Sequence, residues 1–245
     1  MKLQGKVALV TGAAKRVGRA IAMTLAQRGA KIAIHYNSSK RDALLLRDEI
    51  ESSYGRDAEI FAADLGDAKQ VKRLGEAVLK YFDGVHVLVN SASVYPKHAF
   101  GRIDAAQWDE TLDVNLRAPF LLGQALGMEM KRAGEGKIIN IADWSAKRPY
   151  RDYLPYCVSK AGLLCLNMAL AKALAPEVQV NAVLPGPVLL PENFNAKARE
   201  AVKEATLLKR LGSPDDVARA VLFLIEDSDF VTGAELTVDG GRLVA

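Results

Sequence analysis

The chain has 245 residues, half of them hydrophobic, which is enough to bury the core of one large α/β domain or two small ones. The net charge is +4, but the basic residues are scattered, so we expect no nucleic-acid partner. No basic-then-apolar leader precedes the first predicted strand, and no apolar run reaches the ~18 residues of a membrane span, so we expect a soluble, cytoplasmic protein without a membrane partner.

Short β-branched runs alternate with longer helical patterns along the whole chain. The predicted strands are residues 6–11, 31–36, 58–62, 85–90, 137–141, 179–183 and 235–238. The predicted helices are residues 16–28, 41–53, 69–81, 108–132, 156–174 and 214–225. Consecutive apolar positions in the strands indicate burial on both faces of the sheet, which is typical of a mainly parallel sheet with helices on both sides. We predict one doubly wound α/β domain spanning residues 1–245.

The least regular segment is residues 184–212, which contains Pro185, Gly186, Pro187 and Pro191. A long loop with a short helix of its own often covers a ligand site in such a fold. Cys157 and Cys165 are eight residues apart, about 12 Å along a helix, which is too far for a disulfide. We expect two free thiols, and we expect no metal site because the histidines show no ligand spacing.

The first predicted strand runs into the sequence TGAAKRVGRA at residues 11–20. A strand, a turn of small residues and a helix N-terminus form an anion site, because backbone N–H groups and the positive end of the helix dipole point at the ligand. Gly12 permits the tight turn, and Gly18 lets the helix approach the strand. Arg16, followed by Val17, replaces the middle glycine that such turns usually carry. The motif alone is equally compatible with a turn that binds nothing.

The end of the second strand indicates which dinucleotide fits. A site for NAD(H) needs a carboxylate there to accept hydrogen bonds from the ribose 2′-hydroxyl, and this chain has Asn37, Ser38 and Ser39 instead. These side chains offer hydrogen-bond donors to a 2′-phosphate, and the nearby basic residues are Lys15, Arg16 and Arg41. We therefore predict NADP(H) as the cofactor, with an ordinary polar loop as the alternative.

After the third strand come Asp64 and Leu65. Asp64 can hydrogen-bond an adenine ring, or it can cap the next helix. Both interpretations remain open from the residues alone.

Tyr156 and Lys160 are four residues apart, so a helix places them on one face. A nearby ammonium group is expected to lower the pKa of the tyrosine from its usual value of about 10. A tyrosine with a lowered pKa can donate a proton to a substrate as hydride arrives, while the lysine can also bind a nicotinamide ribose. This spacing is common on helices, so the rest of the chain must support the interpretation.

Further motifs occur in order along the chain. They are TGAAKRVG at 11–18, NSAS at 90–93, Val114-Asn115, YCVSK at 156–160, PGPV at 185–188 and VTGAELTVDGG at 231–241. Together they resemble the short-chain dehydrogenase/reductase family over nearly the whole chain. The resemblance implies a Rossmann-like seven-stranded sheet, a nicotinamide cofactor and a dimer or tetramer, of which we expect the homotetramer. It also implies cofactor contacts from Asn90, Ser91, Ala92, Tyr156, Lys160, Pro185, Gly186 and Val188, and a water-anchoring role for Asn115.

Position 143 departs from the family pattern. The family usually places a serine thirteen residues before the tyrosine, whereas this chain has Asp143, and its nearest serine is Ser145. The pteridine reductase branch carries an aspartate at this position and an arginine where this chain has Arg16. It also carries a serine and a ring-stacking aromatic residue, which Ser93 and Tyr95 match. Asn37 and Ser38 stand where that branch often has a basic residue, and Val94 replaces a serine.

This resemblance implies a reductase for a pterin, dihydropterin or dihydrofolate ring. Reducing a C=N bond needs hydride at carbon and a proton at nitrogen. The implied catalytic residues are Asn115, Asp143, Tyr156 and Lys160, and the implied substrate contacts are Arg16, Ser93, Tyr95, Asp143 and Tyr156. Alternatives without a pterin-specific role stay open. Tyr95 could cap a loop, and Asn115 could bend a helix. Asp143 could pair with Lys147 or Arg148, and Ser145 could take the serine role.

Two other functions compete with this prediction. One is a carbonyl reductase, such as a 3-oxoacyl thioester reductase, although such enzymes normally keep the serine and the middle glycine. The other is a cofactor-sensing protein without turnover, which would be expected to lose Tyr156 or Lys160. This chain keeps both residues.

Overall fold

The computed structural model describes residues 1–190 and 194–245. Its strands are β1 Val7–Val10, β2 Lys31–Tyr36, β3 Ala58–Ala62, β4 Val87–Asn90, β5 Gly136–Ile141, β6 Val178–Pro185 and β7 Glu235–Val238. Its helices are α1 Arg16–Gln27, α2 Lys40–Tyr54, α3 Ala68–Phe82, α4 Ala105–Leu112, α5 Ala118–Ala133, α6 Leu154–Leu174, α7 Ala196–Glu204 and α8 Pro214–Glu226. A π-helical turn, Asp113–Arg117, joins α4 to α5, and a 3₁₀ turn, Trp144–Ala146, follows β5.

The strands form one seven-stranded sheet in the order β3-β2-β1-β4-β5-β6-β7, and every strand pairs in parallel with its neighbours. Alternate strand residues enter opposite cores: Ala8 and Val10 pack with α1, α2 and α8, whereas Val7 and Leu9 pack with α3, α5 and α6. Both faces of the sheet are therefore covered, which explains the continuous apolar strands. The predicted Rossmann-like doubly wound fold is confirmed, with a sheet that is parallel throughout.

The strand order places the functional site. The chain winds from β1 outward to β3 and then crosses back to β4 on the other side of β1. In open parallel sheets of this kind, ligands bind in the crevice beyond the carboxyl ends of the strands where the winding reverses. The segments after β1, β4, β5 and β6 meet at that edge.

The long predicted helix contains a π-helical turn. Residues 108–132 were expected to form a single helix, and the chain is helical without interruption from α4 through Asp113–Arg117 into α5, because the residues at both junctions keep right-handed helical backbone. The side chain of Asn115, in the π-helical turn, bonds residues 93–94, so a tertiary contact accompanies the wider turn.

The irregular segment 184–212 contains the short helix α7, none of whose residues is buried. Pro191, one of the residues that marked this segment, lies outside the described residues. Helix α6 is long and apolar enough, by length and composition alone, to cross a membrane. It packs against β6 and buries residues that include Leu163, Leu170 and Leu174, so its apolar character belongs to the core. Cys157 and Cys165 are both free thiols.

Candidate active site

The turn after β1 brings backbone groups together too closely for side chains. Gly12 has φ +64°, and a Cβ atom there would lie 2.9 Å from the Cα of Ala92. A Cβ at Gly18 would lie 2.3 Å from the Gly12 carbonyl oxygen. Both positions therefore require glycine, and the turn leaves the N-terminus of α1 open beside β4.

Arg16 begins α1 in a left-handed conformation, with φ +54°. Glycine adopts this conformation freely, whereas any other L-residue pays a steric cost of about 1 kcal/mol or more. The Arg16 guanidinium donates a hydrogen bond to the carbonyl oxygen of Leu189, 3.4 Å away, in the loop after β6. The arginine is therefore kept at a position that favours glycine, and its side chain reaches from the phosphate turn to the loop over the site.

The carboxyl end of β2 lacks an acidic side chain in the Asn37–Ser39 stretch, which the structure describes fully. Asn37 and Ser38 are exposed, and Ser39 precedes α2 without using its hydroxyl group as a cap. Lys15 is held nearby by an ion pair with Asp42, at 3.1 Å. These donors and cations suit a 2′-phosphate.

Asp64 does not cap α3, so that alternative is wrong. The N-cap of α3 is Asp67, whose carboxylate accepts a hydrogen bond from the Lys69 N–H. The Asp64 carboxylate instead accepts one from the Gly66 N–H at 2.8 Å and remains exposed at the end of β3, beside the buried Leu65. Asp64 thus stays available for the predicted adenine contact.

The ends of β4 and β6 are fixed by hydrogen bonds between neighbouring turns. The Thr11 hydroxyl oxygen accepts from the N–H groups of Ser91 and Ala92, at 2.9 and 3.0 Å. The buried Asn90 amide donates to Asn140 in β5. After β6, the Gly186 N–H donates to Val238 and the Val188 N–H donates back to Gly186. The predicted cofactor contacts on these strands therefore lie on one rigid edge of the sheet.

Asp143 and Tyr156 form the central pair of the site. The Tyr156 hydroxyl group donates to Asp143 Oδ2 at 2.9 Å, and Asp143 Oδ1 accepts from the Ser145 N–H at 2.7 Å. The second bond makes Asp143 the N-cap of the 3₁₀ turn Trp144–Ala146. Burial raises the pKa of the Asp143 carboxyl group, against the effect of these donors. The position that usually carries a serine hydroxyl thus carries a carboxyl group bonded to the tyrosine.

The pKa of Tyr156 is raised, not lowered as the Tyr-Lys spacing suggested. Burial is the larger cause, and the adjacent Asp143 carboxylate adds to it because it opposes a second negative charge. The Lys160 ammonium group lies 5.6 Å from the centre of the Tyr156 ring and donates to the Ile141 carbonyl oxygen at 2.8 Å. Burial lowers the pKa of Lys160 to about 8. Tyr156 is therefore a protonated acid at neutral pH.

The alternatives for this loop do not fit. Lys147 pairs with Glu235 at 2.6 Å, and Arg148 donates to the Ala245 carbonyl oxygen at 2.7 Å, so neither residue neutralises Asp143. The Ser145 hydroxyl group is fully buried, and the Tyr156 hydroxyl group bonds Asp143 instead of Ser145. Ser145 therefore does not take over the serine role.

Asn115 uses its side chain as a brace. Its amide oxygen accepts from the Ser93 hydroxyl group and the Val94 N–H, at 3.1 and 2.9 Å. Its amide nitrogen donates to the Val94 carbonyl oxygen and the Ser159 hydroxyl group, at 3.0 and 3.1 Å. All four bonds of the amide are therefore committed to the protein. The amide therefore links the loop after β4 to α6, while the water-anchoring role of Asn115 stays a prediction.

Tyr95 stacks on a tyrosine that the motifs did not single out. Its ring lies parallel to Tyr153, with centroids 4.1 Å apart, and perpendicular to Tyr156 at 4.5 Å. Tyr95 is still 44% exposed. It does more than cap a loop, because it places an aromatic surface beside the Tyr156 ring.

Comparisons with known proteins agree with this geometry. A family model described as Enoyl-(Acyl carrier protein) reductase matches residues 12–242. A 3-oxoacyl-acyl-carrier-protein reductase from Aquifex aeolicus is 36% identical over 98% of both chains, and a D-threitol dehydrogenase from Mycolicibacterium smegmatis is 35% identical over 99% of this chain and 95% of its own. The crystal structure of a blue fluorescent protein from a metagenomic library in complex with NADPH superposes with a TM-score of 0.90, at 35% identity over 99% of both chains.

The chain belongs to the short-chain dehydrogenase/reductase family. It is therefore an oxidoreductase of the type that uses a nicotinamide dinucleotide. The structure fits that cofactor: the glycine-lined turn, the open N-terminus of α1 and the donors after β2 provide a phosphate site, and Tyr156 and Lys160 lie at the other end of the same sheet edge. Within residues 1–190 and 194–245, no group of three His, Cys, Asp or Glu side chains is placed to hold a metal ion.

His35 is a residue of this reductase that the sequence motifs missed. Its ring is buried at the end of β2, where Nδ1 accepts from the Gly12 N–H at 3.0 Å and Nε2 lies 3.1 Å from the Ala63 carbonyl oxygen. These partners require a neutral ring with its proton on Nε2. The ring therefore ties the phosphate turn to the end of β3. Its position between two turns is a tertiary feature, so no local spacing could reveal it.

This arrangement predicts an acid-dependent loss of stability. Burial lowers the pKa of His35 to about 4. Between about pH 6.5 and pH 4, His35 therefore binds a proton in the unfolded chain but stays neutral in the folded chain. The His35 contribution is complete above pH 6.5 and is lost as the pH falls, with a slope of at most about 1.4 kcal/mol per pH unit. Urea unfolding at pH 7 and pH 5 measures the slope. His35→Asn keeps an acceptor for Gly12 without titrating, and it should flatten the slope; an unchanged slope would contradict the assignment.

Proposed function

We propose that this enzyme is an NADPH-dependent reductase that transfers hydride to a pterin or dihydropterin ring, including dihydrofolate. The observation that carries the proposal is the hydrogen bond between Asp143 and Tyr156 at the position where a serine usually serves a carbonyl substrate. The stacking surface of Tyr95 beside Tyr156 and the arginine at position 16 support it. None of the relatives reported above is named for a pterin, so the site residues alone support this substrate class.

The carboxyl group favours a nitrogen-rich ring over a simple ketone. In carbonyl reduction, negative charge develops on the substrate oxygen, and a neighbouring carboxylate destabilises that charge. A pterin instead presents amino and ring N–H groups, which can donate hydrogen bonds to a carboxylate. Asp143 lies within hydrogen-bond reach of Tyr156, so it can bind the ring and share a proton with the tyrosine during the same step.

The residues have separate roles in this reaction. NADPH, when bound, supplies the hydride. Tyr156, whose pKa is raised, stays protonated and donates its proton to the ring nitrogen. Asp143, whose pKa burial also raises, can take up a proton and return it to Tyr156. Lys160 keeps a positive charge near the tyrosine, and Asn115 holds the Ser93–Val94 loop at the substrate side.

Carbonyl reduction is the second candidate, with 3-oxoacyl thioesters as the substrate class. The names of the relatives favour it, because one acts on a 3-oxoacyl carrier protein and another on a sugar alcohol. The overall identity to these two relatives is nearly equal, at 36% and 35%, so it does not choose a substrate. The hydrogen bond of Tyr156 to a carboxyl group, where the family usually has a serine hydroxyl group, weighs against this candidate.

The test is a comparison of substrates in one assay. NADPH oxidation is followed optically with dihydrobiopterin, dihydrofolate and acetoacetyl-CoA, each over a range of concentrations. The proposal expects kcat/KM to be higher for at least one pterin than for the thioester. A preference for the thioester would refute the proposal and support the second candidate. If the enzyme binds NADPH but oxidises it with none of the three substrates, both candidate functions are refuted.

Replacing Arg16 should weaken NADPH binding and, at the same time, stabilise the fold. Arg16→Gly removes a cation from the phosphate turn, so NADPH affinity should fall about 10- to 100-fold while NADH affinity changes little. Because φ at this position is +54°, glycine should at the same time stabilise the fold by about 1 kcal/mol. Fluorescence titration with both cofactors and urea unfolding measure the two effects.

Lys209 provides a matched control for this change, since it is a basic residue with φ +51° in the segment between α7 and α8. Lys209→Gly should relieve the same type of strain without changing cofactor preference. An NADPH to NADH ratio that stays constant in Arg16→Gly would refute the phosphate role.

We also propose that the protein assembles as a homotetramer. Phe120 and Met128 on α5, and Val158 and Met168 on α6, are each more than two-fifths exposed, as are Phe223 and Phe230 at and beyond α8. Two separate apolar areas suit two symmetric contacts, and two such contacts in one chain produce a tetramer. Light scattering measures the mass, and a monomer at micromolar concentration would refute the assembly.

A further inference from the structure

The loop after β4 and the segment before α6 meet beside Tyr156. The Tyr95 ring lies 4.1 Å from the Tyr153 ring with only 7° between their planes, and it meets the Tyr156 ring at 4.5 Å and 78°. Tyr153 is the residue immediately before α6, and Tyr156 is in its first turn. One aromatic ring on the substrate side thus contacts both tyrosines.

Other contacts hold the two segments together. Lys97 pairs with the Asp152 carboxylate at 3.3 Å, and the His98 N–H donates to the Asp152 carbonyl oxygen at 2.9 Å. On the other side of Tyr95, the Asn115 amide bonds both backbone groups of Val94. The backbone on each side of Tyr95 is therefore anchored, which leaves the tilt of its ring to be set by side-chain packing.

Tyr153 is itself supported from behind. Tyr150 packs edge-on to Tyr153 with centroids 5.9 Å apart, and Trp144 packs edge-on to Tyr150 at 5.3 Å. Trp144 is buried and follows Asp143 directly in the chain. The packing therefore runs from the 3₁₀ turn that carries Asp143 to the ring of Tyr95, so the carboxyl group and the stacking surface are set by one framework.

We propose that Tyr153 is a positioning residue, which sets the plane of Tyr95 so that planar substrates are selected over aliphatic ones. One side of Tyr95 is covered by Tyr153, while 44% of the residue stays exposed for a ligand ring. A ring that is already oriented loses no freedom when the substrate binds, so the gain appears in binding more than in the chemical step. The identity of the ring rests on the proposed function, but selection for planarity does not.

The main test compares Tyr153→Leu with Tyr153→Phe. Leucine removes the stack, so KM for dihydrobiopterin should rise about fivefold or more while kcat stays within about twofold. KM for acetoacetyl-CoA should not change. Phenylalanine keeps the ring and should restore the wild-type KM for the pterin. Tyr81→Leu, on α3 in a separate aromatic cluster, is the matched control and should leave all values unchanged.

A second variant covers the case in which Tyr153→Leu does not fold. Asp152→Ala removes the exposed ion pair with Lys97 and leaves the backbone bond to His98 in place. It should raise the same KM by a smaller factor, about twofold. Equal KM changes for planar and aliphatic substrates, or a loss of kcat without a change in KM, would overturn the proposal.

A planar carbonyl compound separates this proposal from the proposed function. If the wild-type enzyme reduces no pterin but reduces 9,10-phenanthrenequinone, the pterin proposal fails, and the KM of the quinone then reports on Tyr153. A quinone KM that rises in Tyr153→Leu and returns in Tyr153→Phe supports the positioning role. A wild-type enzyme that accepts acetoacetyl-CoA but neither planar compound refutes it.

Discussion

Tyr156→Phe should reduce turnover by about 10²- to 10⁴-fold while leaving NADPH binding within a few-fold of wild type. The hydroxyl group is the only difference between the two side chains, and in the structure it donates to Asp143. Its raised pKa keeps it protonated at neutral pH. NADPH oxidation and fluorescence titration of NADPH are the two measurements.

This variant also probes the carboxyl group that remains. Without the tyrosine hydroxyl group, the buried Asp143 loses one of its hydrogen-bond donors, so the change is not silent for the fold. Tyr150→Phe is a suitable control, because this tyrosine shares the aromatic environment and lies outside hydrogen-bond contact with Asp143 among the described residues. Turnover that survives in Tyr156→Phe, or that falls as far in Tyr150→Phe, would remove the proton-donor assignment.

Asp143→Ser is expected to reverse substrate preference. Serine restores the hydroxyl group that the family normally carries, so pterin reduction should fall about 10²-fold in kcat/KM, whereas reduction of acetoacetyl-CoA should fall much less or rise. Asp143→Asn keeps the size and the bond to the Ser145 N–H but cannot exchange a proton. It should impair pterin reduction as strongly as serine does without favouring the thioester.

The pH dependence of these variants separates chemistry from scaffold. Burial raises the pKa of Asp143, and a residue that supplies a proton is active below its pKa. In wild type, kcat/KM for the pterin should therefore decrease as the pH rises past that value, and Asp143→Asn should lose this part of the profile. Equal losses for both substrate classes, with an unchanged profile, would make Asp143 a capping residue of the 3₁₀ turn and nothing more.

Most of the fold was predictable because local patterns and tertiary packing agree. The strand at residues 31–36 was predicted with the observed bounds, since its apolar side chains face both cores. The π-helical turn between α4 and α5 was not predicted, because it accompanies the contact of Asn115 with a loop about 20 residues earlier in the chain. Propensity over residues 108–132 carries no information about that partner.

The candidate site also has a part that the sequence predicted and a part that it did not. Its acids, bases and glycines follow from motifs at set distances in the sequence, as does the glycine requirement at position 12. The stack of Tyr153 on Tyr95 and the histidine behind the phosphate turn join segments far apart in the chain, so spacing could not reveal them. The direction of the Tyr156 pKa shift was also mispredicted, because burial outweighs a lysine one helical turn away.

By itself, the sequence determined the doubly wound sheet, the glycine turn, the tyrosine and lysine on one helix and the aspartate in place of serine, because each depends on residue type and short-range periodicity. Only the tertiary structure decided that the carboxyl group bonds the tyrosine, that Asn115 is a brace and that Tyr153 backs Tyr95. Those features depend on which distant segments meet and on how much water they exclude, and both are properties of the packed chain.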